Sequence, residues 1–321
     1  LTNVRATSSG SHLGKDFYPD PGYPVLTGDN KVIPPQFEYF APSTVDEAVE
    51  LLERYDGEAK VLAGGMSLIP ILKLRLAEPA ALVDISRLQD LSYIREEDGW
   101  LRIGATTIVN DLHDSDLVRE KYPIFHDATS VIADPLVDNM GTVGGNVAHG
   151  DPANDLPACM LVLGAQVVAQ GPKGSRTIPV REFFVDTFET ALEDSEILTE
   201  VQVPTPRPRQ GNAYVKLEKR AGDFSIVAVA ANLVLNGNGT VEDAGIALTS
   251  VGPTSLYAEA ASNHLAGASP DEATIGRAAE LAEEIAEPVS DLRGPAEYKR
   301  AMVGVLTRRT LGKALERAGG G

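Results

Sequence analysis

The sequence is poor in cysteine: Cys159 stands alone in 321 residues. A single thiol can neither close an internal disulfide nor hold an iron–sulfur cluster. Its neighbours Leu156, Pro157, Ala158, Met160 and Leu161 predict a buried, inert side chain. Histidines are few, and His12, His113, His126, His149 and His264 show no HxxxH or HExxH spacing. The chain is therefore not expected to build a metal site by itself. Long apolar runs are missing, with nothing near the ~18 residues of a membrane span. No basic segment followed by an apolar run opens the sequence, so no secretory signal is read there and the cytoplasm is the default expectation. Cations are outnumbered, 28 Lys and Arg against 46 Asp and Glu, for a net charge of −18. That balance argues against a nucleic-acid partner, because phosphate backbones are held by clustered Lys and Arg. The acid is dispersed, densest at Glu280-Leu281-Ala282-Glu283-Glu284, and reads as solvated helix surface. Three motifs are also lacking: GxGxxG after a strand, GxxxxGK[ST] and GxSxG. A Rossmann dinucleotide fold, a P-loop hydrolase and a nucleophile elbow drop out with them.

What remains is an ordinary globular composition, 43% hydrophobic and 23% charged, in a length that suits about two domains of ~100–200 residues. Residues 1–32, rich in Ser, Gly, Pro and Asp, read as an extension that is flexible or wraps a partner. Ser43 or Thr44 offers a cap to a helix over Val45–Leu52. Strands are expected at Lys60–Ala63, Ala81–Ile85 and Trp100–Ala105. Helices are expected from Ser67 to Arg75, from near Thr106 or Thr107, and over Ile124–Ile132, the last stopping at Asp134-Pro135. The run Val203-Pro204-Thr205-Pro206-Arg207-Pro208-Arg209-Gln210-Gly211 cannot continue a helix or a central strand, so a boundary is placed there, separating 33–207 from 208–321. Beyond it come strands at Ser225–Leu235 and Gly245–Val251, a hairpin-type turn at Asn236–Gly239, and helices over Asp271–Ala286 and Pro295–Arg317. The class is α+β, with an antiparallel sheet plus helices in the second part.

Two glycine pairs carry the chemistry. Ala63-Gly64-Gly65-Met66-Ser67 follows a strand and leads to Leu68 and a helix start. Adjacent glycines reach backbone angles closed to other residues, and their N–H groups can converge on an anion as a nest. Ser67 adds a hydroxyl donor, and the following helix end adds positive potential. Thr142-Val143-Gly144-Gly145-Asn146 has the same character. Two nests would let an acidic protein hold a polyphosphate; the alternative is a pair of tight turns without ligand.

The motifs AGGxSLIPxLKxRL (Ala63 to Leu76) and TxGGNxxxGDPxNDxPA (Thr142 to Ala158) resemble the FAD-binding medium subunits of xanthine dehydrogenase-type molybdenum hydroxylases. Within that family the resemblance is nearest to the aerobic carbon monoxide dehydrogenase branch. It runs from Ile33-Pro34 through Arg293–Tyr298 and Leu306–Arg309. It implies a two-subdomain FAD-binding fold of the vanillyl-alcohol-oxidase/PCMH type and a C-terminal α+β domain. It places the FAD diphosphate between Ala63–Ser67 with Leu68 and Thr142–Asn146, and gives Asp155 to the cofactor's hydroxyls or ring nitrogens. An N-cap role for Asp155 is the competing reading, and Asp151 reads as a turn former. Lys216, ahead of Gly222-Asp223-Phe224, would face the flavin's pyrimidine end, with Phe224 gating or stacking and the Leu198 backbone nearby. A surface lysine and a core phenylalanine are the competing readings. Carbon monoxide dehydrogenase subunits often carry His where this chain has Met66. The resemblance also implies partners: a large subunit with the molybdenum cofactor, a small subunit with [2Fe–2S] clusters, a dimer of heterotrimers, and an external electron acceptor. Location in the cytoplasm, at the inner face of the membrane through those partners, goes with it. A stand-alone flavin oxidoreductase and a non-catalytic nucleotide-binding module stay open at this point.

Overall fold

The computed structural model describes residues 33–319; the expected extension over 1–32 lies outside them. In chain order, β1 (Glu38–Phe40) leads to α1 (Val45–Tyr55), β2 (Ala59–Leu62), α2 (Leu68–Lys73) and β3 (Ala81–Asp84). Next come β4 (Ile94–Glu97), β5 (Trp100–Gly104), α3 (Val109–Asp114), α4 (Asp116–Lys121), α5 (Pro123–Thr129), α6 (Pro135–Asp138), α7 (Val143–His149) and α8 (Asp155–Leu163). Then follow β6 (Gln166–Gly171), β7 (Gly174–Pro179), α9 (Val180–Phe183), β8 (Phe184–Asp186), β9 (Glu189–Thr190) and β10 (Ile197–Pro204). The remainder is β11 (Gln210–Leu217), β12 (Val227–Leu235), β13 (Val241–Thr249), β14 (Leu256–Tyr257), α10 (Glu259–Leu265), α11 (Glu272–Glu284) and α12 (Ala296–Gly319).

These elements build three main sheets. The first is parallel, ordered β1-β3-β2, and α1 packs on it. Thr44 caps α1 by accepting from Glu47 N at 3.1 Å, while Glu47 accepts from Ser43 N at 2.8 Å, a reciprocal arrangement that satisfies helix-end donors. The second sheet is antiparallel, ordered β4-β5-β10-β6-β7. The third, β11-β12-β13-β14, is the antiparallel sheet expected in the second part of the chain.

A helix buried on every side joins the two parts. All nine residues of α8 are buried, and it lies on β12 and β13. Each Leu, Val or Met so buried contributes roughly 1.5–3 kcal/mol. The continuous apolar run of β12 follows from its position between two layers. Ala228 and Ala230 face α8, whereas Val227, Val229, Leu233 and Leu235 face the α10–α12 layer. Small side chains on one face let the helix approach. At Gly245 of β13, an added Cβ would sit 3.0 Å from Val162 O.

Three local expectations are corrected. Thr106 and Thr107 do not cap a helix; α3 starts at Val109, and the Thr107 hydroxyl instead joins Tyr93 N and O at 3.1 and 3.0 Å. The helix expected over Ile124–Ile132 ends at Thr129, and Asp134 starts rather than stops a helix, accepting from Leu136 N and Val137 N ahead of α6. Lastly, Val143–Asn146 is no loop but the first turn of α7, capped by Thr142.

Candidate functional site

The first glycine segment turns between the end of β2 and the start of α2. Gly65 sits at φ +74°, which only glycine adopts without strain. Among the described residues, the amides of Gly64, Gly65, Met66, Ser67 and Leu68 have no hydrogen-bond acceptor, and the Ser67 side chain makes no cap bond. Five consecutive donors without acceptors are what an anion nest requires.

The second segment is built differently. Val143 N donates to Thr107 O at 2.8 Å, and Gly144 N to Ala105 O at 2.9 Å. Gly145 N donates to Thr142 Oγ1 at 3.1 Å, and Asn146 N to Thr142 O at 2.9 Å. The expectation of a second backbone nest is therefore corrected: these amides are spent on fixing α7 against the end of β5. Val143 is a core side chain, fully buried, and a Cβ on Gly144 would lie 2.5 Å from Ala105 Cβ. What this segment presents is the Asn146 side chain, whose Oδ1 is buried and without a partner.

The two segments meet. A Cβ on Gly64 would fall 2.0 Å from Met140 O and 2.9 Å from Gly141 Cα, and one on Gly141 would lie 3.9 Å from Met66 Cγ. Glycine at 64 is thus the condition for the first segment to lie against the residues leading into the second.

From Asn146 the path leads on to Asp155. Asn154 Nδ2 donates to Asn146 O at 2.7 Å, and Asp155 follows as the first residue of α8. The N-cap alternative fails: Asn154 occupies the cap position, and both Asp155 oxygens point into the core. Oδ1 accepts from Tyr214 OH, and Oδ2 pairs with Lys216 Nζ at 3.1 Å. Lys216 also donates to Val131 O at 2.6 Å, and its side chain is 1% exposed, which rejects the surface-lysine alternative. Burial pushes Asp155 up to about 6 even though Lys216 pulls the other way. The Tyr214 hydroxyl is pushed well up by burial and by Asp155. Asp151 accepts from Ala153 N at 2.8 Å, the turn role expected of it. Cys159 is buried and its thiol is pushed up by desolvation, hence inert.

Phe224 lies on the β11–β12 connection, 50% exposed, with the Arg293 guanidinium 5.8 Å from its ring centre, so the core-phenylalanine alternative falls. In the same connection a Cβ on Gly222 would come 3.1 Å from Ala133 C and O. Residues 131–141 thus touch Lys216, Gly222 and Gly64 in turn. Leu198 is buried in β10, the strand against which α7 packs, and pairs with Ala169. Ala63 and Leu68 flank the first segment without further polar contact.

Tyr214 and Glu218 are the residues that sequence reasoning passed over. Their signal was the period of two on β11, which carries 214 and 216 along one face and points on to Glu218 just past the strand end, once Lys216 is singled out. Among the described residues no cluster of His, Cys, Asp or Glu could hold a metal, and no helix is long and apolar enough to cross a membrane.

The polar groups fit a flavin dinucleotide: unpaired amides and a serine hydroxyl to donate to a diphosphate, the unpartnered Asn146 amide oxygen to accept from a cofactor hydroxyl or N–H, and a buried Lys–Asp pair. Comparison with known proteins agrees. A family model for the FAD binding domain in molybdopterin dehydrogenase matches residues 35–206, and one for the CO dehydrogenase flavoprotein C-terminal domain matches 212–314. The chain belongs to this family of FAD-binding flavoprotein subunits of molybdenum-containing dehydrogenases. It is 44% identical over 286 residues to the carbon monoxide dehydrogenase medium chain of Hydrogenophaga pseudoflava, covering 89% of this chain and 99% of that one. The solved carbon monoxide dehydrogenase of that organism, lacking the Mo-pyranopterin moiety of its cofactor, matches with TM-score 0.86 and 46% identity, covering 89% and 99% of the two chains. Quinoline 2-oxidoreductase from Pseudomonas putida 86 matches with TM-score 0.83 and 33% identity, over the same shares.

Proposed function

We propose that this chain is the electron-transfer flavoprotein of an aerobic carbon monoxide dehydrogenase, taking electrons from [2Fe–2S] clusters of a small subunit and delivering them to an external acceptor. A large subunit with the molybdenum cofactor oxidises the substrate. The complex is a dimer of heterotrimers, cytoplasmic, at the inner membrane face through its partners. The observation that carries this reading is the contact of Gly64 with Met140 and Gly141, which sets five unpaired amides against the backbone that leads into Thr142–Asn146.

The residues divide the work. The amides of Gly64, Gly65, Met66, Ser67 and Leu68, with the Ser67 hydroxyl, hold the diphosphate. Thr142, Val143, Gly144 and Gly145 anchor α7 so that the Asn146 amide oxygen can accept from the cofactor. Lys216, fixed by Asp155 and Val131 O, presents its ammonium as a donor to the ring end, with the Leu198 backbone alongside and Phe224 at the rim. Bound FAD supplies the exchange between one-electron and two-electron carriers; the protein contributes position and electrostatics. In this division residues 33–207 carry the glycine segments and residues 208–321 contribute Lys216 and Phe224.

Coexpression with the large and small subunits tests the reading. Stoichiometric FAD and carbon monoxide-dependent dye reduction are expected. A folded complex without flavin would overturn it, as would a chain that turns over substrate alone without molybdenum. The likeness to quinoline 2-oxidoreductase favours an N-heterocycle dehydrogenase as second reading; bleaching of the flavin by such a substrate and not by carbon monoxide would select it.

A further inference from the structure

We propose that Asp155, Glu218 and Lys216, together with Tyr214, form a one-proton store that couples proton uptake to the charge on the flavin and so sets how its reduction potential varies with pH. The inference rests on the FAD reading given above.

These groups carry an unbalanced charge in a closed space. The side chains of Lys216 and Asp155 are 1% and 5% exposed, and Glu218 reaches the same ammonium at 3.7 Å while 20% exposed. Glu218 Oε2 is buried without a hydrogen-bond partner. Two carboxylates around one ammonium leave a net negative charge where water is scarce, and a low dielectric makes that charge expensive. A single added proton neutralises the group.

Among the described residues no other neighbour brings a second free cation to the group, and Asp138 adds to its negative potential. Cys159, one turn along α8, is a neutral thiol whose Sγ faces Asp155 O at 3.5 Å. The Tyr214 phenol is held neutral and donates to Asp155. Asp138, on α6, feels both His113 and Lys216 and has an unpartnered buried Oδ1, adding further negative potential. Asp127, on α5, is tied up by Lys313 and Arg317. Asp155 is the member placed to take the proton, since burial already lifts it to about 6.

Asp155 therefore takes one proton from water as one electron arrives from the partner subunit's clusters. It returns that proton to water as the electron leaves for the external acceptor, so proton and electron balance over each cycle.

The surroundings act on Asp155 with opposite signs, which makes a directional test. Glu218 raises it, whereas the Tyr214 hydrogen bond lowers it. In the flavin-loaded complex, potentiometric titration from pH 5 to 8 should give a curve that bends where Asp155 titrates, above the ordinary carboxylate range. Glu218→Gln should move the bend to lower pH, Tyr214→Phe to higher pH, and Asp155→Asn should remove it. Reduced-minus-oxidised infrared spectra should show a protonated-carboxyl band that Asp155→Asn abolishes. Tyr214 and Glu218 are positioning residues here, and a merely structural role would not shift the bend in opposite directions. If the variants retain full flavin and keep the wild-type curve, the proton store is wrong although the flavin reading stands. A wild-type complex without flavin would instead defeat the underlying reading.

Discussion

Gly64 presses so closely on Met140 that a methyl group in place of its hydrogen would lie 2.0 Å from the Met140 carbonyl oxygen. Backbone cannot yield there as a flexible side chain would. Gly64→Ala is therefore expected to part the two glycine segments and lower bound FAD at least tenfold, while far-UV circular dichroism stays near wild type. Flavin absorbance per protein chain checks it.

Gly65→Val should lose flavin by another route, since φ +74° is strained for a β-branched residue, by roughly 1–2 kcal/mol or more. Gly145→Val is a less clean probe. Its Cβ would meet Thr142 Oγ1 at 2.7 Å and break the α7 cap, worth about 1 kcal/mol. Calorimetry should find both flavin-free variants melting below wild type, the Gly145 variant through its lost cap and the Gly65 variant through backbone strain.

Lys216→Met removes the cation from a buried group of two carboxylates. Breaking a buried pair from one side typically costs about 3–5 kcal/mol. Without Lys216, Asp155 rises above its present value of about 6. A carboxyl raised in the folded state binds more protons there than in the unfolded chain, so its contribution to stability falls as pH rises through that window. Urea unfolding should thus show a larger deficit for the variant at pH 8 than at pH 5.

Asp127 has the opposite sign. Burial alone would raise it, but bonds from Arg317 and Lys313 hold it below the usual carboxylate range. Its contribution is present above about pH 4, the unfolded value, and fades as pH falls through the folded one. Asp127→Asn should lower the melting temperature at pH 7, with the gap to wild type closing toward acid pH.

Phe224→Ala should leave stability within about 0.5 kcal/mol, as expected of an exposed side chain. The rate of flavin reoxidation by external acceptors should change instead, measured by stopped flow. An unaltered rate would remove Phe224 from the site.

Much of the fold could be read from local chemistry: the capped α1, the strands β2, β3 and β5, and the hairpin from β12 to β13. Gly144 and Gly145 misled because glycine disfavours helices, yet here the carbonyls of Ala105 and Thr107 impose the turn, and Ala105 leaves no room for a Cβ at 144. The extent of α8 gave no periodic signal because a helix buried all round has no polar face. Asp155 and Lys216 were each singled out, but their pairing joins residues 61 positions apart, a relation no local pattern encodes. Tyr214, by contrast, was legible from the period of two on β11, which sets it on the same face as Lys216.

The placement of α8 has a consequence for modularity. At one end of this helix the Asp155 carboxylate accepts from side chains of β11, and its flank fills the space left by alanines of β12. A chain cut near residue 207 would retain the glycine segments but strip Asp155 of both its donors. Chimaeras that join the first part of one relative to the second part of another should work only where the pair from α8 to β11 and the small face of β12 are carried across together. The two parts are thus bound to be inherited as one piece.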